Sequence, residues 1–85
     1  MFVNSSLMSM LVSLMRASKA ALIRARVASV IGVLVRHATY ISEDLVHTKI
    51  VQVLADGMKD SSERVRRKSA AAFGELLFYL SLIHI

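Results

Sequence analysis

Apolar residues recur along the chain at spacings of three and four, the period that places them on one face of an α-helix. The pattern divides into four predicted helices, at about 5–16, 20–38, 43–56 and 60–80. The second run is rich in β-branched residues, but it is too long for a strand and lacks the alternation of apolar and polar positions. The predicted core positions, helix by helix, are Leu7, Met10, Leu11, Leu14 and Met15; Ile23, Val27, Val30, Ile31 and Leu34; Leu45, Ile50, Val53 and Leu54; and Val65, Ser69, Ala72, Leu76 and Tyr79, with Phe73, Leu77 and Leu80 widening the last stripe.

Residues typical of helix ends separate these runs. Ser42 and Asp60 can each accept a hydrogen bond from the free backbone N–H groups of a first turn, and Glu63 can complete a capping box with Asp60. Gly57 can adopt the left-handed conformation that ends many helices. The sequence therefore predicts an all-α fold of two antiparallel helical hairpins.

The second half of the chain repeats the first at an offset of 42 residues, the separation of Gly32 from Gly74. At this offset apolar residues align with apolar residues in both helices of each hairpin. A period of about 40–47 residues with two or three helices is typical of HEAT and armadillo repeats. We therefore predict an armadillo/HEAT-like α-solenoid with one repeat at about 5–38 and another at about 43–81.

Each predicted repeat leaves part of its apolar surface uncovered. Stacked neighbours cover that surface in a solenoid, so we expect a fragment of a longer array that needs neighbouring repeats for stability. A glycine inside a helix costs about 1 kcal/mol relative to alanine. Because Gly32 and Gly74 occupy equivalent positions, they predict a close backbone approach between the two helices of one repeat.

The net charge is +5, which permits contact with an anionic surface such as nucleic acid, an acidic protein tail or lipid headgroups. The chain has no cysteine, so disulfides and cysteine-containing zinc sites are excluded. No secretion signal is evident, and we expect a cytoplasmic location. The uncharged residues 1–15 are interrupted by serines and are too short to span a bilayer comfortably, which favours a buried amphipathic helix over a membrane span.

Sequence patterns for catalysis or metal binding are missing. Kinase chemistry needs a glycine-rich phosphate loop, a strand lysine, a catalytic aspartate and a metal-binding aspartate, and none of these motifs occurs. The histidines lack metal-ligand spacing, no strained turn supports a nucleophilic triad, and the clustered carboxylates are better explained as helix-end charges and caps. We therefore expect no catalytic, metal-binding or cofactor-binding residue. The histidines are His37, His47 and His84, and the carboxylates are Asp56, Asp60 and Glu63.

Basic residues crowd the first two turns of the fourth predicted helix and form the candidate site. Arg64, Arg67 and Lys68 are the predicted partner-binding residues, because stacked repeats would align such charges into a ladder able to bind an acidic peptide or phosphate groups. A second set of arginines, Arg24, Arg26 and Arg66, can be structural or binding, since arginines at these positions can pair with a turn aspartate such as Asp60. The few aromatic residues look buried, which disfavours nucleic acid as the partner.

Two segments carry a family resemblance: RVASVIGVLVRHATYISEDL at 26–45 and DSSERVRRKSAAAFGELLFYLS at 60–81. They resemble the helical-repeat region of the Fused/Runkel-type (Unc-51-like kinase 4-like) serine/threonine kinases, over most of residues 20–81. The generic D…VR..A…G part is common among HEAT repeats, whereas the combination of both segments is more specific. The closing SLIHI departs from the polar helix end expected in that family, so we expect residues 82–85 to reflect a truncated or imperfect sequence.

In that family an N-terminal kinase domain, often degenerate, precedes a long armadillo/HEAT array. Its members are linked to microtubules, to cytokinesis in plants and to cilia in animals. The resemblance implies a non-catalytic, protein-binding or scaffolding segment with microtubules as a partner. Two alternatives stay open: a segment of an unrelated HEAT-repeat scaffold, and a small basic protein that binds polyanions or membrane surfaces.

Overall fold

The computed structural model describes residues 5–37 and 49–83, which form two helical hairpins. A short π-helical stretch at 49–50 leads into the third helix. The all-α fold of two hairpins predicted from the sequence is confirmed. None of the described helices is long and apolar enough to cross a membrane. The helices, in chain order, are α1 (Ser5–Ala17), α2 (Ala21–His37), α3 (Val51–Gly57) and α4 (Glu63–Ile83).

The hairpins stack side by side in two layers. Helices α1 and α2 pack together as the first hairpin, and α3 and α4 as the second. Between hairpins, α2 packs against α4 in the most extensive contact of the described chain, and α1 contacts α3. The second layer, formed by α2 and α4, therefore holds most of the interface between the hairpins.

The buried face of α1 differs from the predicted one. Leu7, Met10 and Leu14 were predicted to be core residues but are exposed, so the prediction is wrong for them. Periodicity is a weak guide here because apolar residues cover well over half of the helix circumference, and only the serines and Arg16 share the remaining side. The offset of 42 residues identifies the correct face, since it aligns the buried side of α1 with the buried side of α3. The buried residues of α1 are Met8, Leu11, Val12 and Met15.

Two predicted core residues of α2 also lie on the surface. Ile23 is 44% exposed and Val30 is 45% exposed, whereas their equivalents in α4, Val65 and Ala72, are 0% and 2% exposed. The exposure of these equivalent positions differs because the first hairpin packs against this side of α4, whereas no described hairpin packs against the same side of α2. Val27 and Ile31 are buried as predicted, and Leu34 is partly buried; the remaining buried residues of α2 are Ala25, Ala28, Gly32 and Val35.

The second hairpin follows the prediction more closely. All five residues of the main stripe predicted in α4 are buried, while Phe73 and Leu80 are partly buried and Leu77 is exposed. Leu45 and the predicted cap Ser42 lie outside the described residues. The core residues confirmed in this hairpin are Ile50, Val53, Leu54, Val65, Ser69, Ala72, Leu76 and Tyr79.

Gly57 is the last residue of α3, but it does not end the helix by a left-handed conformation. No described glycine has a positive φ, and Met58 continues in the right-handed region at φ −70° and ψ −11°. The prediction of a left-handed cap is therefore wrong. Instead, Gly57 is buried where a Cβ atom would lie 2.8 Å from both Ser69 Cβ and Met15 Cε. The absence of a side chain allows α3 to approach α4 and α1 closely.

The two equivalent glycines do not bring together the two helices of one repeat, so that prediction is wrong. A Cβ atom on Gly32 would lie 3.2 Å from the Cα and Cβ atoms of Ala72, so a close approach exists, but it joins the two hairpins. At Gly74 a Cβ atom would meet nothing within 4 Å. Gly74 lies on the side of α4 that has no further hairpin against it, which explains why only one of the two glycines is covered.

Candidate functional site

A bidentate ion pair joins the first hairpin to the turn that precedes α4. Arg24 donates from Nε to Asp60 Oδ2 at 2.9 Å and from Nη2 to Asp60 Oδ1 at 3.1 Å. The two side chains are only 19% and 15% exposed, so water screens the pair less than it screens a surface pair. Arg24 thus has a structural contact, of the kind considered for the second set of arginines.

The same local arrangement occurs in both hairpins, 42 residues apart. Arg24 Nη1 donates to the carbonyl oxygen of Ser18 at 3.1 Å, and Arg66 Nη1 donates to that of Asp60 at 2.8 Å. Arg66 also donates to the carbonyl oxygen of Ser61 at 3.1 Å. These bonds fix the arginines to the turns that open α2 and α4, so Arg66 also has a structural contact.

Asp60 belongs to this turn and does not cap α4 in the predicted way. Its Oδ1 accepts from the backbone N–H of Ser62 at 2.9 Å, and α4 begins only at Glu63. Ser62 Oγ accepts from the N–H of Val65 at 3.4 Å and stands nearest to the cap position. The predicted capping box is therefore wrong, because the Asp60 carboxylate is occupied by Arg24 and by its own turn.

The pKa of Asp60 is lowered from its ordinary value of 3.8. The main cause is the hydrogen bond from Arg24, and the N–H of Ser62 and the positive charges of Arg24 and Arg66 act in the same direction, while burial opposes them. The carboxylate is therefore held in its charged form.

The predicted partner-binding residues Arg64, Arg67 and Lys68 are all exposed on α4. No hydrogen bond or ion pair joins them to another side chain in the described parts of the chain. Arg64 and Lys68 are four residues apart and share one side of the helix. Arg67 is equivalent to Ala25, which lines the contact of α2 with α4, so Arg67 lies on the side of α4 that faces away from α2.

Arg26 lies across a groove from Arg64 and Lys68. The groove runs between α2 and α4 and has a volume of about 250 Å³. Sequence reasoning placed Arg26 in the second set, and the structure brings it to the candidate site in place of Arg67. Two signals for this were available: residues 22, 26 and 29 share a helical face, and Arg26 aligns with Lys68 at the offset of 42 residues. The residues lining this groove are Leu22, Ala25, Arg26, Ser29, Arg64 and Lys68.

The carboxylates considered for chemistry do not converge on one site. Asp60 pairs with Arg24, while Asp56 and Glu63 are exposed at the end of α3 and the start of α4. His37 is exposed at the end of α2, and the other two histidines lie outside the described residues. Within 5–37 and 49–83, no group of three acidic, histidine or cysteine side chains is arranged to hold a metal ion.

Comparison with known proteins agrees with this architecture. Residues 50–80 match the family model of the HEAT repeat, so hairpin stacking and sequence both define a helical-repeat segment. The chain is similar to the serine/threonine-protein kinase RUNKEL of Arabidopsis thaliana, with 47% identity over 78 residues. No solved structure matches it significantly. The resemblance to the helical-repeat region of a Runkel-type kinase is therefore confirmed.

The match covers 92% of this chain but only 6% of the length of RUNKEL. It falls on helical repeats and contains no kinase domain. What the chain shares with that kinase is thus a short part of a repeat region.

Proposed function

We propose that this chain is a non-catalytic, protein-binding repeat segment of a Runkel-like kinase. It acts as a scaffold in the cytoplasm and associates with microtubules or the cytokinesis machinery. The two repeats of this scaffold comprise about 5–38 and 43–81. The resemblance to RUNKEL supports the parent class, and HEAT repeats generally mediate protein interactions.

One observation carries the binding role: Arg64, Arg67 and Lys68 are all exposed in the first two turns of α4, without an ion-pair partner among the described residues. Arg64 and Lys68 are like charges four residues apart on a helix, an arrangement that destabilises a helix by about 0.2–0.5 kcal/mol. Arg24 and Arg66, by contrast, are bound within the turns. The three exposed cations are therefore the candidates for contact with an acidic surface of a partner protein.

Microtubule co-sedimentation across a series of salt concentrations tests this function. The test variant replaces Arg64, Arg67 and Lys68 with alanine. A matched control replaces Arg16, Lys19 and Lys59, which are exposed cations away from these turns of α4, so both variants lose the same charge. We expect the wild type and the control to pellet with microtubules at low salt and the test variant to stay in solution.

Circular dichroism must show equal helicity for the three proteins. Equal pelleting of the wild type and the test variant, or no pelleting of the wild type, would contradict the proposal. The parent class has its own test, because a transcript that joins this segment to a kinase domain supports a Runkel-like kinase. A transcript with many further repeats and no kinase domain would indicate an unrelated HEAT scaffold.

A further inference from the structure

The groove between α2 and α4 extends beyond its basic end. A second cavity of about 260 Å³ follows the same two helices and shares Ser29 and Lys68 with the first. We call the two cavities together the α2–α4 groove. Much of the second cavity is lined by small residues, which leave room for the backbone of another chain: Ala28, Ser29, Gly32, Ala71 and Ala72.

Charge is distributed unevenly along the α2–α4 groove. At one end, Arg26, Arg64 and Lys68 lie together without a carboxylate in the lining. At the other end, Arg36 Nε donates to Glu75 Oε1 at 3.1 Å, which compensates both charges. The groove is therefore cationic at one end and close to neutral at the other.

Exposed apolar side chains accompany both ends. Leu22 lines the cationic end and Val33 lines the neutral end, and both are exposed. An anion alone would use only the three cations and leave these apolar side chains without a contact. A polypeptide that carries carboxylates first and apolar or small side chains afterwards complements the whole length of the groove.

We propose that the α2–α4 groove binds an acidic segment of a partner protein, with its carboxylates on Arg26, Arg64 and Lys68. The inference rests on the proposed protein-binding function and adds to it a binding site and the chemistry of the ligand. Nucleic acid fits less well, since no aromatic side chain lines either cavity to stack on bases, and the neutral end offers no net positive charge to a continuing phosphate backbone.

Lys59, in the turn before α4, is the control position. It is exposed and carries the same charge, but it does not line the α2–α4 groove. A partner held only by the overall positive field would respond equally to changes at Arg26 and Lys59. A partner bound in the groove responds to a change at Arg26 and much less to a change at Lys59.

Fluorescence anisotropy with a labelled synthetic peptide tests whether the α2–α4 groove is the binding site. The stretch from Arg26 to Arg36 spans roughly 15 Å at the helical rise, so about five extended residues cover it and a peptide of about eight residues extends beyond both ends. The probe has glutamates in its first half and alanine and leucine in its second half. We expect Arg26→Glu to weaken binding about tenfold, because it removes one attraction and adds one repulsion, and Lys59→Glu to weaken it less than about twofold.

Lys68→Gln is a milder second variant, with an expected loss of about two- to fivefold. Circular dichroism verifies folding for each variant. Equal weakening by Arg26→Glu and Lys59→Glu would overturn the proposal. It would also be overturned if oligothymidylate, or vesicles containing phosphatidylserine, displaced the peptide as effectively as unlabelled peptide does, because the surface would then bind polyanions generally.

The two proposals fail separately. Wild-type protein that binds the peptide in the groove but does not pellet with microtubules would refute the microtubule association and leave the groove assignment standing. Pelleting that depends on Arg64, Arg67 and Lys68, together with equal peptide binding by the Arg26 and Lys59 variants, would retain the proposed function and refute the groove assignment.

Discussion

At the residue scale, three glycines in helical conformations have very different surroundings. Gly57 and Gly32 lie against other helices, and Gly74 lies against open space. Their φ angles give no reason for glycine, because none is positive. What distinguishes them is the distance from the Cα atom to the neighbouring helix, which depends on packing and cannot be read from the residue type.

Alanine substitutions at Gly57 and Gly74 should therefore have opposite effects. Gly57→Ala should lower the free energy of unfolding by about 1–3 kcal/mol, because the new methyl group overlaps Ser69 and approaches Met15 Cε at 2.8 Å. Gly74→Ala should raise it by up to about 1 kcal/mol, because alanine favours the helix and no atom is displaced. Urea unfolding followed by circular dichroism measures both. Stabilisation by Gly57→Ala would mean that α3 lies farther from α4 than the structure shows.

At the element scale, the bond between Arg24 and Asp60 ties α2 to the turn before α4 and should make stability depend on pH. The folded-state pKa of Asp60 is lower than the ordinary value of 3.8, so its contribution is fully present above that value. It should be lost as the pH falls below 3.8 and through the folded-state pKa. We expect Asp60→Asn to lower the free energy of unfolding by about 1–3 kcal/mol at neutral pH, since a charge-assisted pair is lost.

Urea unfolding at several pH values tests this assignment. The difference between the wild type and Asp60→Asn should shrink as the solution becomes more acidic. Asp56→Asn serves as the control, because Asp56 is exposed and makes no ion pair with another described residue. A difference that persists unchanged below pH 3.8 would show that the charge of Asp60 is not what joins the hairpins.

Local sequence predicts the helices better than it predicts their buried faces. Periodicity locates α1, but its apolar residues cover well over half of the helix circumference, and the internal repeat is needed to select the side with Met8. In α2, Ile23 and Val30 fit the apolar stripe and are nevertheless exposed, because burial there depends on a neighbouring hairpin. The candidate site shows the same limit. The basic run on α4 and the equivalence of Arg26 with Lys68 are visible in the sequence, whereas the groove between them depends on the packing of α2 on α4.

At the scale of the whole molecule, the two sides of the stack are open in complementary ways. Val30 is exposed on the first hairpin, where its equivalent Ala72 is buried, and Leu77 is exposed on the second, where its equivalent Val35 is buried. The exposed surface of the first hairpin thus consists of the same positions that the second hairpin buries against the first. The exposed surface of the second hairpin consists of the positions that the first hairpin buries against the second. We therefore expect such a pair of surfaces to allow a head-to-tail contact between copies, which can continue in one direction.

The isolated chain should therefore melt broadly at low concentration, and its Tm should rise with concentration as copies stack. Val30→Glu blocks one surface and Leu77→Glu blocks the other, so each variant alone should remain monomeric in sedimentation velocity. An equimolar mixture should form dimers and nothing larger, because each variant retains the surface that the other has lost. A sharp, cooperative melt of the wild-type monomer that does not change with concentration, with no dimer in the mixture, would show that two hairpins form a stable unit without neighbours.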